Sequence, residues 1–252
     1  MTAASAQLAG GIGWLPSDAN AHDDDSHGNG VPPPSRRHAA QRQAQLASWE
    51  RAAHPSQVKL RRFLAHVDAI AEPALARVSG RVAAELIVGF GDGVSLIDAG
   101  HDLDNYLFPV AQRLGPGRVA AIFGRKIHGP SSLAVGPAQP DTAGAAPQFS
   151  TRMAGSYERK EWKQTLHDRL AVQAATLDPG PVGLTIALTT GPGRSWTSLW
   201  KPLIDTFGPV LGEDPTRPFH PHDDRIVSLG LHHTIDSAIA HDVIIDAWWT
   251  CP

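Results

Sequence analysis

Two stretches of this chain superpose on each other without a gap, and that repetition restricts the fold more than any other feature of the sequence. Leu103, Tyr106, Leu107, Val110, Ala111 and Leu114 fall on Trp196, Leu199, Trp200, Leu203, Ile204 and Phe207. Both sets follow the i, i+3, i+4 spacing of one buried helix face. Pro109 falls on Pro202, and Gly115 on Gly208. Proline is tolerated in the first helical turn and costly further in, so each helix is expected to start about three residues before its proline. That start leaves Asp102 and Asp104 in the loop leading into the first helix, at the positive end of its dipole.

The flanks repeat as well. The first stretch is preceded by an amphipathic helix over 58–76 and a strand over 82–88, and followed by strands over 118–123 and 131–135. The second has a helix over 158–175 and a strand over 182–188 before it, then strands near 225–231 and 241–248. The expected fold is α/β (α+β): two tandem helix–strand–helix–strand–strand units forming an internal pseudo-dimer, monomeric, with internal pseudo-two-fold symmetry. The units span 56–136 and 156–252. Between them, 137–155 is rich in Ala, Gly, Pro, Gln and Ser and reads as a linker. Residues 1–55 read as a disordered or loosely ordered tail, because Gly10-Gly11, the run Asp23-Asp24-Asp25 and Pro32-Pro33-Pro34 break any periodicity.

Composition narrows the setting. Of 252 residues, 42% are hydrophobic, enough for a packed core. The single cysteine, Cys251, has no internal disulfide partner. No apolar run is long enough to span a membrane and the N-terminus lacks a signal-peptide pattern, so a cytoplasmic location is expected. A formal charge of −3 argues against a uniformly basic nucleic-acid binder. Basic residues are nonetheless grouped: Arg36, Arg37, Arg42, Arg51, Lys59, Arg61 and Arg62 early, then Arg113, Arg118, Arg125 and Lys126. Arg118, Arg125, Lys126 and Arg194 are the candidate phosphate contacts. The segment 124–132 reads either as a basic loop that grips phosphates or as a solvated hairpin tip. Trp196, Trp200, Trp248 and Trp249 read as packing residues rather than a base-stacking platform.

Two clusters carry chemistry. Asp102-Leu103-Asp104-Asn105 puts two carboxylates at a helix mouth, where they can share one hard cation such as Mg²⁺. The competing reading is a plain N-cap. His220-Pro221-His222-Asp223-Asp224 can be read as Zn²⁺ or Mn²⁺ ligands, or as a polar turn before a strand. The turn is favoured for the histidines, and a metal role for one of the aspartates.

Helix, strand, loop with Asp-x-Asp-Asn, amphipathic helix and Asp-Asp strand, taken together, resemble the RusA family of Holliday-junction resolvases. The resemblance covers roughly residues 57–250 through short motifs. It implies an Mg²⁺-dependent endonuclease, with Mn²⁺ as a substitute, acting on branched or structured DNA. Asp102 and Asp104 match the family's paired metal-binding aspartates. Lys201-Pro202 looks like its lysine and following helix, and Asp223-Asp224 like its third acidic position. Departures are equally clear. Phe108 stands where the first unit's lysine should be, and Ser195 and Thr197 replace the second unit's aspartates. Neither unit is complete. Either the units assemble one composite site, with Asp102, Asp104 and Asp223 or Asp224 holding the metal and Lys201 offsetting charge on the phosphate, or both sites have decayed into a DNA- or protein-binding module. A third reading gives the same aspartates another phosphoester substrate.

Overall fold

The structure, a computed structural model, describes residues 38–39, 54–97, 101–139 and 146–252. Its first half runs β1 (His38–Ala39), α1 (Pro55–Leu75), β2 (Val82–Phe90), α2 (Leu103–Leu114), β3 (Val119–His128) and β4 (Ser132–Pro137). The second runs β5 (Phe149–Met153), α3 (Lys160–Gln173), β6 (Val182–Thr190), α4 (Trp200–Ile204), α5 (Gly208–Leu211), β7 (Ile226–Ile235) and β8 (Val243–Thr250). A 3₁₀ turn, Thr197–Leu199, leads into α4, and another, Asp223–Arg225, leads into β7. All strands join one mixed sheet, ordered β1-β4-β2-β3-β7-β6-β8-β5, so the fold is α/β.

In strand order, direction and register the second half of the sheet repeats the first. β2 runs parallel to β3 and antiparallel to β4, while β6 runs parallel to β7 and antiparallel to β8. Even the irregularities agree. The β2/β3 register slips between Val82 and Ala83, and the β6/β7 register between Val182 and Gly183. Val119 and Ile226 thus hold equivalent places, as do Phe123 and Gly230 four residues further on. At the centre β3 and β7 pair antiparallel with Phe123 opposite Gly230, its own equivalent. This is the register that a two-fold axis through that pair generates.

All twelve positions of the two superposed helix faces are buried, so the apolar stripe read from the sequence is the stripe that packs. A single hydrophobic core runs through both halves. Where α2 crosses β3 the sheet carries Gly124, and a Cβ there would lie 3.2 Å from Leu107. Gln112 donates from Nε2 to Thr197 Oγ1 at 3.0 Å, and Phe108 meets Trp200 edge to face at 6.4 Å between centroids. These contacts hold the two equivalent helices together.

Several expectations need correction. α2 starts at Leu103, six residues before Pro109, so Asp104 sits in the first helical turn and not in a preceding loop. Pro109 forgoes one backbone hydrogen bond, and burial of α2 against β3 outweighs that loss. In the second half the 3₁₀ turn supplies the corresponding residues and α4 starts at Trp200, with Pro202 in its short run. The segment 137–155 contains edge strand β5, paired with β8. Gly124-Arg125-Lys126 belongs to β3, which continues to His128, and not to a loop. Of the expected tail, His38–Ala39 pairs with β4, and Arg36, Arg37, Arg42 and Arg51 lie outside the described residues.

One buried titratable group ties the centre together. His233 on β7 stacks on Trp196 at 4.9 Å, with rings 10° apart. Its Nδ1 accepts from Arg81 at 2.8 Å. Its Nε2 lies 2.9 Å from Thr190 Oγ1, whose hydroxyl donates to the Gly191 carbonyl, so Nε2 is the protonated nitrogen. Burial, reinforced by the Arg81 guanidinium, pushes the imidazole down to about 3. The unfolded chain takes up this proton near pH 6.5 and the folded chain does not. The stability held by neutral His233 is therefore full above that pH and is lost as pH falls toward 3. His233→Gln is expected to be less stable than wild type by about 1–3 kcal/mol at pH 7.5. In urea unfolding with EDTA, that gap should shrink by about 1–2 kcal/mol at pH 5.

Candidate metal centre

Asp102 occupies the N-cap position of α2, but its side chain makes no capping hydrogen bond. Its Oδ2 instead accepts from Asn105 Nδ2 at 3.1 Å, so the plain N-cap reading does not describe this carboxylate. Asp104 follows in the first turn and is 4% exposed. The third carboxylate comes from the other half. Asp223 sits in the turn before β7, and neighbouring Arg225 anchors that turn. The Arg225 guanidinium donates to the carbonyls of Gly180 at 2.8 Å and Leu211 at 2.7 Å, and also to that of Asp178. Lys126, buried on β3, donates from Nζ to the Asp224 carbonyl at 2.7 Å.

One oxygen from each of Asp102, Asp104 and Asp223 lies within 4.8 Å of the others, and this group could hold a metal ion. Lys201 of α4 reaches the same point, its Nζ 2.5 Å from Asp223 Oδ2 and 3.4 Å from Asp205 Oδ1. Asp205 is held in turn by Lys163 at 2.9 Å. The cluster borders a groove of about 500 Å³ lined by Asp102, Asp223, Asp224 and residues of the segment before the turn.

The electrostatics are those of crowded, desolvated acids. Burial pushes Asp104 up to about 6; Lys201 opposes the shift, and Asp223 and Asp102 add to it. Asp102 is raised by burial and then by Asp223. Burial works against the Lys201 ammonium, but Asp104, Asp223 and Asp205 outweigh it and hold its pKa above the usual lysine range. Burial brings Lys126 down to about 8. An all-carboxylate oxygen set suits a hard divalent cation, Mg²⁺ or Mn²⁺, better than Zn²⁺.

The other expected residues fall elsewhere. Asp224 lines the groove, yet its carboxylate is not among the three that converge. His220 and His222 also line the groove, and among the described residues no metal group includes them. Arg125 pairs with Glu85 at 2.9 Å. Arg118 donates to the carbonyls of Val78 at 2.7 Å and Leu75 at 3.4 Å. Arg194 donates to the carbonyls of His241 and Gly155. The candidate phosphate contacts Arg118, Arg125, Lys126 and Arg194 therefore all serve internal bonds. Asp205 was missed, although its place four residues after Lys201 on one helix face was a signal for the pair.

The equivalent position across the sheet is filled. Ser195 and Thr197 stand for Asp102 and Asp104, Phe108 for Lys201, Pro116 for Asp223 and His233 for Lys126. Thr197 binds Gln112, Trp196 Nε1 donates to the Pro116 carbonyl at 3.0 Å, and Trp196 covers His233. None of these five residues is a carboxylate that could bind a cation.

No protein-family model matches the chain, and no curated protein sequence matches it.

Asp104 ionises near pH 3.9 in an unfolded chain and near 6 in the folded one. The stability it confers is full below about pH 4 and is lost as pH rises through about 6. Asp104→Asn should therefore stabilise the metal-free protein by about 1–3 kcal/mol in urea unfolding with EDTA at pH 7.5. It should also erase the rise in Tm that Mn²⁺ gives wild type. A less stable variant with an unchanged Mn²⁺ response would count against the metal centre.

Proposed function

We propose that the chain is a RusA-like, Mg²⁺-dependent endonuclease that acts on branched or structured DNA through one composite site. The observation that carries this reading is the meeting of Asp102 and Asp104 from one half with Asp223 and Lys201 from the other. A bound divalent cation would polarise a phosphodiester and lower the pKa of a water. Asp102, Asp104 and Asp223 would hold that cation, and the carbonyl bond from Lys126 and the Arg225 anchor keep the Asp223 turn in place. Lys201 stands beside the carboxylates with its charge enforced by Asp104, Asp223 and Asp205, where it offsets charge that builds on the phosphate.

The arrangement favours a catalytic centre over a module that only binds DNA or protein. Three converging carboxylates without a cation repel a phosphate backbone, and burying Asp104 weakens the fold. Because one chain supplies both halves of the site, a monomer suffices. Hydrolysis of another phosphoester would use the same carboxylates and is separated from the proposed reading by substrate alone.

The decisive assay is cleavage of a labelled four-way junction against linear duplex of the same sequence, in Mg²⁺ and in EDTA. Wild type should cut the junction selectively and only with metal. Asp104→Asn should lose about 10³-fold or more, and Lys201→Met about 10²-fold with Mn²⁺ uptake retained. No cutting in Mg²⁺ or Mn²⁺ with enzyme in excess of DNA would overturn the proposal. Preference for mononucleotides would move the chain to another phosphoester.

A further inference from the structure

Between the aligned glycine and the next strand, the first half has only Pro116–Arg118, whereas the second has α5 and a long loop before Asp223. The added chain lies over the half where the carboxylates assemble, and Asp214, Arg217, His220, Pro221 and His222 from it line the groove beside Asp102 and Asp223. The loop has a built base. Glu213 takes His167 Nε2 at 2.6 Å and the Phe219 N–H at 3.1 Å, and pairs by backbone with Pro221. The His222 N–H closes the turn onto the Gly212 carbonyl at 2.9 Å. The Asp214 carboxylate is taken up by the Thr216 N–H and hydroxyl at 2.8 and 2.7 Å. Arg217, His220 and His222 remain exposed; Arg217 and His222 act electrostatically on the Asp214 carboxylate, and no salt bridge holds any of the three among the described residues.

We infer that residues 213–222 form a phosphate clamp, in which Arg217, His220 and His222 hold one phosphate of a single nucleic-acid strand against the metal centre. This rests on the proposed function and names how that site takes its substrate. The charges favour it. Asp102, Asp104, Asp205, Asp223 and Asp224 face Lys126, Lys163 and Lys201, five negative charges against three, leaving an excess of two that a divalent cation cancels. A phosphodiester then brings one more negative charge, and the Arg217 guanidinium, which shares the groove lining with Asp214, is placed across it to meet that charge. A volume of about 500 Å³ suits one small molecule, so the groove has room for about one nucleotide unit.

The test uses the full chain with Mn²⁺ and a fluorescein-labelled phosphorothioate thymidine tetranucleotide. Wild type should bind the probe only with the metal. Arg217→Ala and the double variant His220→Ala/His222→Ala should each weaken probe binding about 10-fold or more, with Arg217→Lys recovering part of it. Mn²⁺ affinity, measured alone by calorimetry, should stay within about twofold. Unchanged probe affinity, absent probe binding by metal-loaded wild type, or an equal loss of Mn²⁺ affinity in the variants each overturns the clamp and leaves the metal centre standing. Inorganic phosphate competing as well as unlabelled tetranucleotide would mark a phosphomonoester site and overturn the strand assignment. Wild type that takes up no Mn²⁺ overturns the proposed function itself.

Discussion

β3 and β7 pair antiparallel from Ala121–His232 to Arg125–Ser228, and the rest of the molecule is arranged by that register. With Phe123 opposite Gly230, each half presents the start of its central helix to the other half. A slip of one residue would put Lys126 and His233 on opposite faces of the sheet. Lys126 would then lose the Asp224 carbonyl or His233 its stack on Trp196. The carboxylate cluster is thus a property of the seam between halves. Asp102 and Asp104 arrive on α2, while Asp223 and Lys201 arrive on the turn before β7 and on α4.

The centre is held at the expense of stability. Asp104 is buried among other carboxylates, and its pKa near 6 measures how poorly the site accommodates its charge without a cation. Lys201 and Lys126 soften that repulsion without cancelling it. On the far side of the seam the same positions carry Thr197, Phe108 and His233, and they pack without net charge. Reinstating carboxylates there would bury them against Trp196 and Gln112, where His233 and not a lysine stands opposite.

Much of this was legible in the sequence because periodicity reports burial directly. Every residue of the two superposed stripes is buried, from Leu103 to Phe207. The grouping of Asp102 and Asp104 with Lys201 and either Asp223 or Asp224 was also legible, because the losses in the two units are complementary, and the structure brings Asp223 to the cluster. Other features were not. The local rule for proline misplaced the start of α2, since packing against β3 overrides one missing hydrogen bond. β5 escaped because only Phe149 and Met153 of that edge strand are buried, too little for a strand pattern. Gly124 beside Arg125 and Lys126 read as a loop, whereas the glycine lets Leu107 approach the sheet. Sequence shows that Arg118, Arg125 and Arg194 are charged but not that they point inward to Val78, Glu85 and His241.

The filled position around Trp196 has a consequence for the proposed reaction. Two equivalent centres related by a two-fold axis could each cut one strand of a branch. Here Trp196, Thr197 and Pro116 close the second centre. On the proposed chemistry one bound chain makes one incision, so its immediate product is a nicked branch, and complete separation of the arms awaits a second encounter.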